Sequence, residues 1–154
     1  MNFFSLFKRN IIYKLKRKIS IEKDKFSNDN LDDLFFYYGS DKANRFRINN
    51  TNGHGFSKYY TTHLNNFKKR KIHILELGSY AGASAAAFAK YFPYSKIYCF
   101  DINISNFKYS SANIYVYGID IRNEIKVFKT LSHIFEKNNL KKFDIIIDAG
   151  SHFL

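Results

Sequence analysis

From residue 72 onward the chain runs in short apolar blocks separated by polar or glycine-containing breaks. Residues 72–77, IHILEL, predict a first strand, and the glycine-rich stretch GSYAGAS follows it. AAAFAKYF then reads as a helix stopped by Pro93. KIYCFD at 96–101, IYVYG at 114–118 and FDIIID at 143–148 are rich in Ile, Tyr and Phe and predict a second, third and fourth strand. Between them, 105–112 predicts a weak helix. Residues 121–138 predict a longer one, with Ile125, Phe128, Leu131 and Phe135 on its apolar face. Strands alternating with helices predict parallel βαβ units, and a run such as 145–147 suits a strand covered on both faces. The expected fold class is α/β.

The region ahead of residue 72 is patterned differently. Asn28 or Asn30 can cap a short helix at 31–38 that Gly39 closes. Residues 39–56, GSDKANRFRINNTNGHGF, lack apolar periodicity and read as a loop. Ser57 is placed to cap a helix with Tyr60, Leu64 and Phe67 as a stripe and a basic end at 68–71. At the start of the chain, Phe4, Phe7, Ile11, Leu15 and Ile19 recur at helical spacing. Three stretches result: a basic amphipathic helix at 1–23, a helical and loop extension at 24–71, and a core at 72–154.

Charge sharpens the first of these. The chain holds 25 Lys and Arg against 13 Asp and Glu, a formal net charge of +12. Residues 1–23 hold seven of the cations and one acid, Glu22, which is +6, half of the excess. Such a helix packs its stripe on the domain, lies on an anionic membrane surface or docks in a partner's groove. Charges interrupt the apolar stretch and no small-residue cleavage site follows, so a signal peptide is not expected. No recognition motif accompanies the charge, so nucleic acid is not an expected partner. A single cysteine, Cys99, leaves no disulfide framework within the chain and no Cys-based zinc cage. The apolar runs fall far short of the ~20 residues of a membrane span.

Parallel α/β sheets bind ligands at the carboxyl ends of their strands. Those ends carry Glu76, Gly78 and Gly82 after the first strand, Asp101 on the second, Asp120 after the third, and Asp148, Gly150, Ser151 and His152 after the fourth. ELGSYAGAS is not the G-x-G-x-x-G dinucleotide fingerprint. An acid beside the turn disfavours pyrophosphate and favours a cationic or amine-bearing ligand. Asp101 ends the next strand, where an acid can accept hydrogen bonds from ribose hydroxyls. Asp120 reads equally as the N-cap of a helix starting at Ile121.

This pattern resembles the class I S-adenosylmethionine-dependent methyltransferases over roughly residues 72–152. The resemblance implies a Rossmann-like methyltransferase fold, here a partial parallel sheet of order 3-2-1-4 with an N-terminal helical extension. It implies that Glu76, Gly78 and Gly82 line the methionine moiety, that Asp101 binds the ribose and that Asp120 lies near the adenine. Ser79, Tyr80, Ser84 and Asp148 complete the implied cofactor set.

A narrower resemblance rests on YGSDK at 38–42, on His54, Gly55, Phe56 and Tyr59, and on DAGSH at 148–152. Together these look like the macrocin and mycinamicin type of sugar O-methyltransferase, with Phe56 in place of the usual Tyr. The resemblance implies that the segment before the first strand folds over cofactor and acceptor. It implies a carbohydrate or glycosylated small-molecule acceptor, as in surface polysaccharide biosynthesis. The expected location is cytoplasmic, and the basic helix at 1–23 would allow peripheral contact with the inner face of the membrane. A sugar hydroxyl is a poor nucleophile and needs a general base. By the resemblance that base is His152, and a neutral imidazole suits the task. The family's magnesium needs the second acid of DDGSH and an acidic pair on the next strand. Ala149 stands in place of that second acid and the next strand is missing, so no intact metal site is expected. Four strands of a seven-strand core imply a member cut short after the fourth. The alternative is a non-catalytic remnant, or a cofactor- or partner-binding module without transferase activity.

Overall fold

The structure is a computed structural model and describes Ile11, Leu15, residues 17–48 and residues 50–150. His152 and most of the basic helix expected at 1–23 lie outside the described residues. In chain order the elements are β1 (Ile19–Ser20), α1 (Leu31–Tyr38), β2 (Arg45–Phe46), β3 (Thr51–Asn52), α2 (Ser57–Leu64), β4 (His73–Leu77), α3 (Ala83–Tyr91), β5 (Lys96–Asp101), β6 (Tyr109–Ser110), β7 (Ile114–Gly118), α4 (Glu124–Asn138) and β8 (Ile145–Asp148).

The central sheet is parallel, in the order β7-β5-β4-β8. Counted along the chain from β4, that is the expected order 3-2-1-4. β4, β5 and β7 alternate between two apolar layers, as a period of two dictates, whereas β8 buries only Ile145 and Ile147 and leaves Ile146 61% exposed, so it is not covered on both faces as expected. Ile74, Ile97, Cys99, Ile145 and Ile147 face one core together with α1 and α3. Leu75, Tyr98 and Phe100 face the other, beneath Ile134 of α4. Ala85, Ala86 and Ala87 are wholly buried, so the small side chains of α3 let it lie close to the sheet. Phe35 of α1 meets the ring of Phe88 edge-on at 5.2 Å. Ile21, Leu31, Leu34, Phe35, Tyr38 and Ala43 share this core with the strands, so the extension and the sheet bury one apolar layer together.

Several local expectations change. Ile19 does not continue a helix from residue 1 to 23: Ile19–Ser20 is a strand, paired parallel with Tyr109 and Ser110. Those partners lie where a weak helix was expected at 105–112. The chain there makes one 3-10 turn at Ile104–Asn106 and then β6. The loop at 39–56 contains an antiparallel hairpin, β2 against β3. Ser57 is the first residue of α2 rather than its cap, and its hydroxyl donates to Asp32 at 2.5 Å. By contrast α1 matches: Asn30 caps it through the Asp32 amide, and Gly39 closes it at φ 79°.

The last helix starts three residues later than expected. Asn123 caps it, accepting from the Lys126 amide at 3.0 Å, and Asp120 is not the cap. Its buried side is Ile134 with Val127, Leu131 and Phe135 packed alongside. Ile125 and Phe128, expected on the inner face, are 70% and 68% exposed. Several apolar stripes can be drawn on this helix, and the angle at which it leaves Asn123 selects one.

Candidate active site

The turn between β4 and α3 is built from unusual backbone conformations. Gly78 and Gly82 have φ of 77° and 78°, and Tyr80 between them has φ of 46°. Glycine is needed at both ends for space as well. A β-carbon on Gly78 would lie 2.6 Å from the backbone nitrogen of Gly150, and one on Gly82 would overlap the Phe107 ring. Close approach of the β8 end and of Phe107 therefore fixes these glycines, a requirement that ligand contact alone would not have revealed.

Two acids frame the turn. Asp101, at the end of β5, accepts the backbone N–H of Tyr80 at 2.6 Å and that of Asn103 at 2.8 Å. Glu76, in β4, lies in the sheet interior between Cys99 and Ile147 and has no exposed surface. Its Oε1 accepts the Ser84 hydroxyl of α3 and pairs with Lys42 Nζ at 3.7 Å. Its Oε2 is buried without a hydrogen-bond partner. Ser79 turns its hydroxyl back to the Glu76 carbonyl at 3.2 Å. The phenol of Tyr60 is nearby: burial, with the negative charges of Glu76 and Asp41, pushes it up to about 12. An orphaned, buried carboxylate oxygen can accept from an N–H-bearing group. The site thus fits the amine-bearing ligand that the strand-end acids suggested.

Lys42 is the residue that the sequence by itself hides. It sits in a polar stretch and is nevertheless only 7% exposed. Only the YGSDK resemblance singled it out. The hairpin carries it inward: Lys42 O accepts the Phe56 amide at 2.9 Å, Asp41 O the His54 amide at 2.6 Å, and Ala43 O the Gly55 amide at 3.1 Å. His54 itself stays on the outside, 3.7 Å from Asp41 and stacked on Phe56.

Other expected residues are less convergent. Asp120 forms a two-point pair with Arg122, whose guanidinium holds the carboxyl down to about 2. It borders an open depression lined by Asp120, Arg122, Asn123, Glu124 and Ile125, beyond the end of β7. Asp148 ends β8 and accepts the Gly150 amide at 3.1 Å. Magnesium does not fit this donor set. Among the described residues no three His, Cys, Asp or Glu side chains converge as a metal site, and Ala149 follows Asp148 directly.

Neither a protein-family model nor a curated protein matches the chain. Solved structures do. A MycE methyltransferase from the mycinamycin biosynthetic pathway, in complex with Mg, SAH and mycinamycin VI, superposes with a TM-score of 0.61 at 23% identity over 80% of this chain. A MycE structure with Mg and SAH alone gives 0.61 at 24% identity over 82%. The chain spans about a third of the length of these structures, 32% and 31%. The fold is therefore the Rossmann-like methyltransferase fold.

Proposed function

We propose that the chain forms the cofactor-binding half of an S-adenosylmethionine-dependent O-methyltransferase that acts on a sugar hydroxyl of a surface glycan or glycosylated small molecule. The carrying observation is the wholly buried Glu76 carboxylate on the first core strand, with one oxygen unpartnered beside the glycine turn. The cofactor's ammonium is the group that would satisfy it. Asp101, fixed by two backbone amides, retains lone pairs for ribose hydroxyls. S-adenosylmethionine bound there would supply an electrophilic methyl group, with the sulfonium sulfur as leaving group, and the acceptor hydroxyl would give its proton to a base, which by the resemblance is His152. The basic segment at 1–23 would hold the chain at an anionic membrane face on the cytoplasmic side.

Ala149 favours a second reading, in which the chain holds cofactor without transferring methyl. Incubation with methyl-labelled S-adenosylmethionine and glycan acceptors, together with calorimetry against S-adenosylhomocysteine, separates the two. Label in the glycan supports transfer, binding without label supports the second reading, and no binding removes both.

A further inference from the structure

The Lys42–Glu76 contact joins parts of the chain 34 residues apart and connects the hairpin to the centre of the sheet. Both side chains are buried, so neither charge is offset by water. Lys42 and Ser84 both lie on Oε1, which leaves the other oxygen bare. The backbone that carries Lys42 is itself closed by the His54, Gly55 and Phe56 amides, and Asp32 clasps its base by accepting from Asn44 N at 2.8 Å and from Ser57 Oγ.

We propose that Lys42 is a positioning residue: it latches the hairpin at 41–57 onto Glu76 and holds Oε1, so that Oε2 is the oxygen presented to a cationic group of the ligand. The ligand's nature rests on the function proposed above; the latch does not. Because Lys42 fixes the orientation in which Oε2 faces the ligand, hairpin docking and ligand binding favour one another reciprocally.

Amide hydrogen exchange on the full chain tests this. Removing the charge with Glu76→Gln is expected to speed exchange at His54, Gly55 and Phe56 by about tenfold, the scale of a lost contact to a charged group. The amides of α4 should not change. Lys42→Met leaves a buried carboxylate unpaired and is carried together with the double variant Lys42→Met/Glu76→Gln, which removes both charges. The double variant should fold and show the same fast hairpin. Unchanged hairpin exchange in Glu76→Gln and the double variant overturns the latch, and so does equal acceleration throughout the chain. S-adenosylhomocysteine should slow the hairpin amides further in the unsubstituted chain and not in the double variant. Calorimetric binding that leaves the hairpin unaffected overturns the proposal. Absence of binding removes the cofactor reading instead, and the ligand-free comparison still decides the latch.

Discussion

Asp101 Oδ2 accepts the backbone N–H of Tyr80 at 2.6 Å, so the end of one core strand fixes the turn that follows its neighbour. Tyr80 occupies the left-handed region at φ 46°, which costs an L-residue about 1–2 kcal/mol. A charge-assisted hydrogen bond offsets a cost of that size. The acid that the sequence marked as a ribose partner therefore has a structural task before any ligand arrives.

Replacing Asp101 separates those two tasks. Asp101→Ala leaves the Tyr80 amide without its acceptor and is expected to lower stability by about 1.5–3 kcal/mol, the range for hydrogen bonds to charged groups. Asp101→Asn keeps one acceptor oxygen and should cost less. Both should abolish measurable S-adenosylhomocysteine binding. Urea melts and calorimetry on the same samples check this. An Asp101→Asn chain that binds as tightly as the original would remove Asp101 from the ligand site.

Gly82→Ala meets two obstacles. The backbone at φ 78° disfavours any side chain by about 1–2 kcal/mol. The new methyl also presses on Phe107, an overpacking cost of about 1–3 kcal/mol. Adding Phe107→Leu should recover part of the loss and leave the backbone share. Full recovery in thermal melts would show that the ring alone makes glycine necessary.

The sheet was legible because its strands are almost wholly apolar between polar ends. Strands such as 96–101 and 114–118 leave little freedom in where they begin or stop, and parallel crossovers restrict their order. The glycine turn was legible from spacing, although Phe107 and Gly150, which impose the glycines, lie far along the chain. Lys42 was not legible from local pattern. Its neighbours are polar, and what buries it is a carboxylate 34 residues away. The two-residue strands β1 and β6 were hidden for the same reason: two paired residues carry no period, and only their partner makes them strands. Asp120 looked like a cap because it precedes an apolar residue, but Arg122 takes up its carboxylate and Asn123 performs the capping.

The pairing of β1 with β6 is expected to fail in acid. Glu22 accepts from the Ala112 amide at 2.7 Å and from Ser20 Oγ at 3.0 Å. Hydrogen bonds from Ser111 and Ala112 lower its carboxyl from 4.5 to about 2. A group whose folded pKa is depressed stabilises above its unfolded value and loses that contribution as pH falls through the folded one. The contribution is therefore complete above about pH 4.5 and fades toward pH 2. Glu22→Gln should be less stable than the original at pH 6, with the gap narrowing steadily below pH 4.5. A gap independent of pH would mean that shape rather than charge holds the clasp.

The inner face of α4 gives the last test, because two stripes compete on one helix. The pattern at 121–138 offers Ile125, Phe128, Leu131 and Phe135, whereas packing against the sheet uses Val127, Leu131, Ile134 and Phe135. Leu131 and Phe135 belong to both, so substitutions there cannot distinguish them. Ile134 and Phe128 can. Ile134 has no exposed surface, and Ile134→Ala deletes buried methyl groups at an expected cost of about 2–5 kcal/mol. Phe128 is mostly in water, so Phe128→Ser should change stability by no more than about 0.5 kcal/mol, as surface substitutions do. It should also reduce self-association, since Phe128, Ile125 and the β8 residue Ile146 are all exposed apolar side chains. Urea melts give the first two quantities and sedimentation gives the third. If Phe128→Ser costs as much as Ile134→Ala, the helix is rotated toward the face that the sequence pattern favoured, and the sheet contact described for Ile134 is wrong.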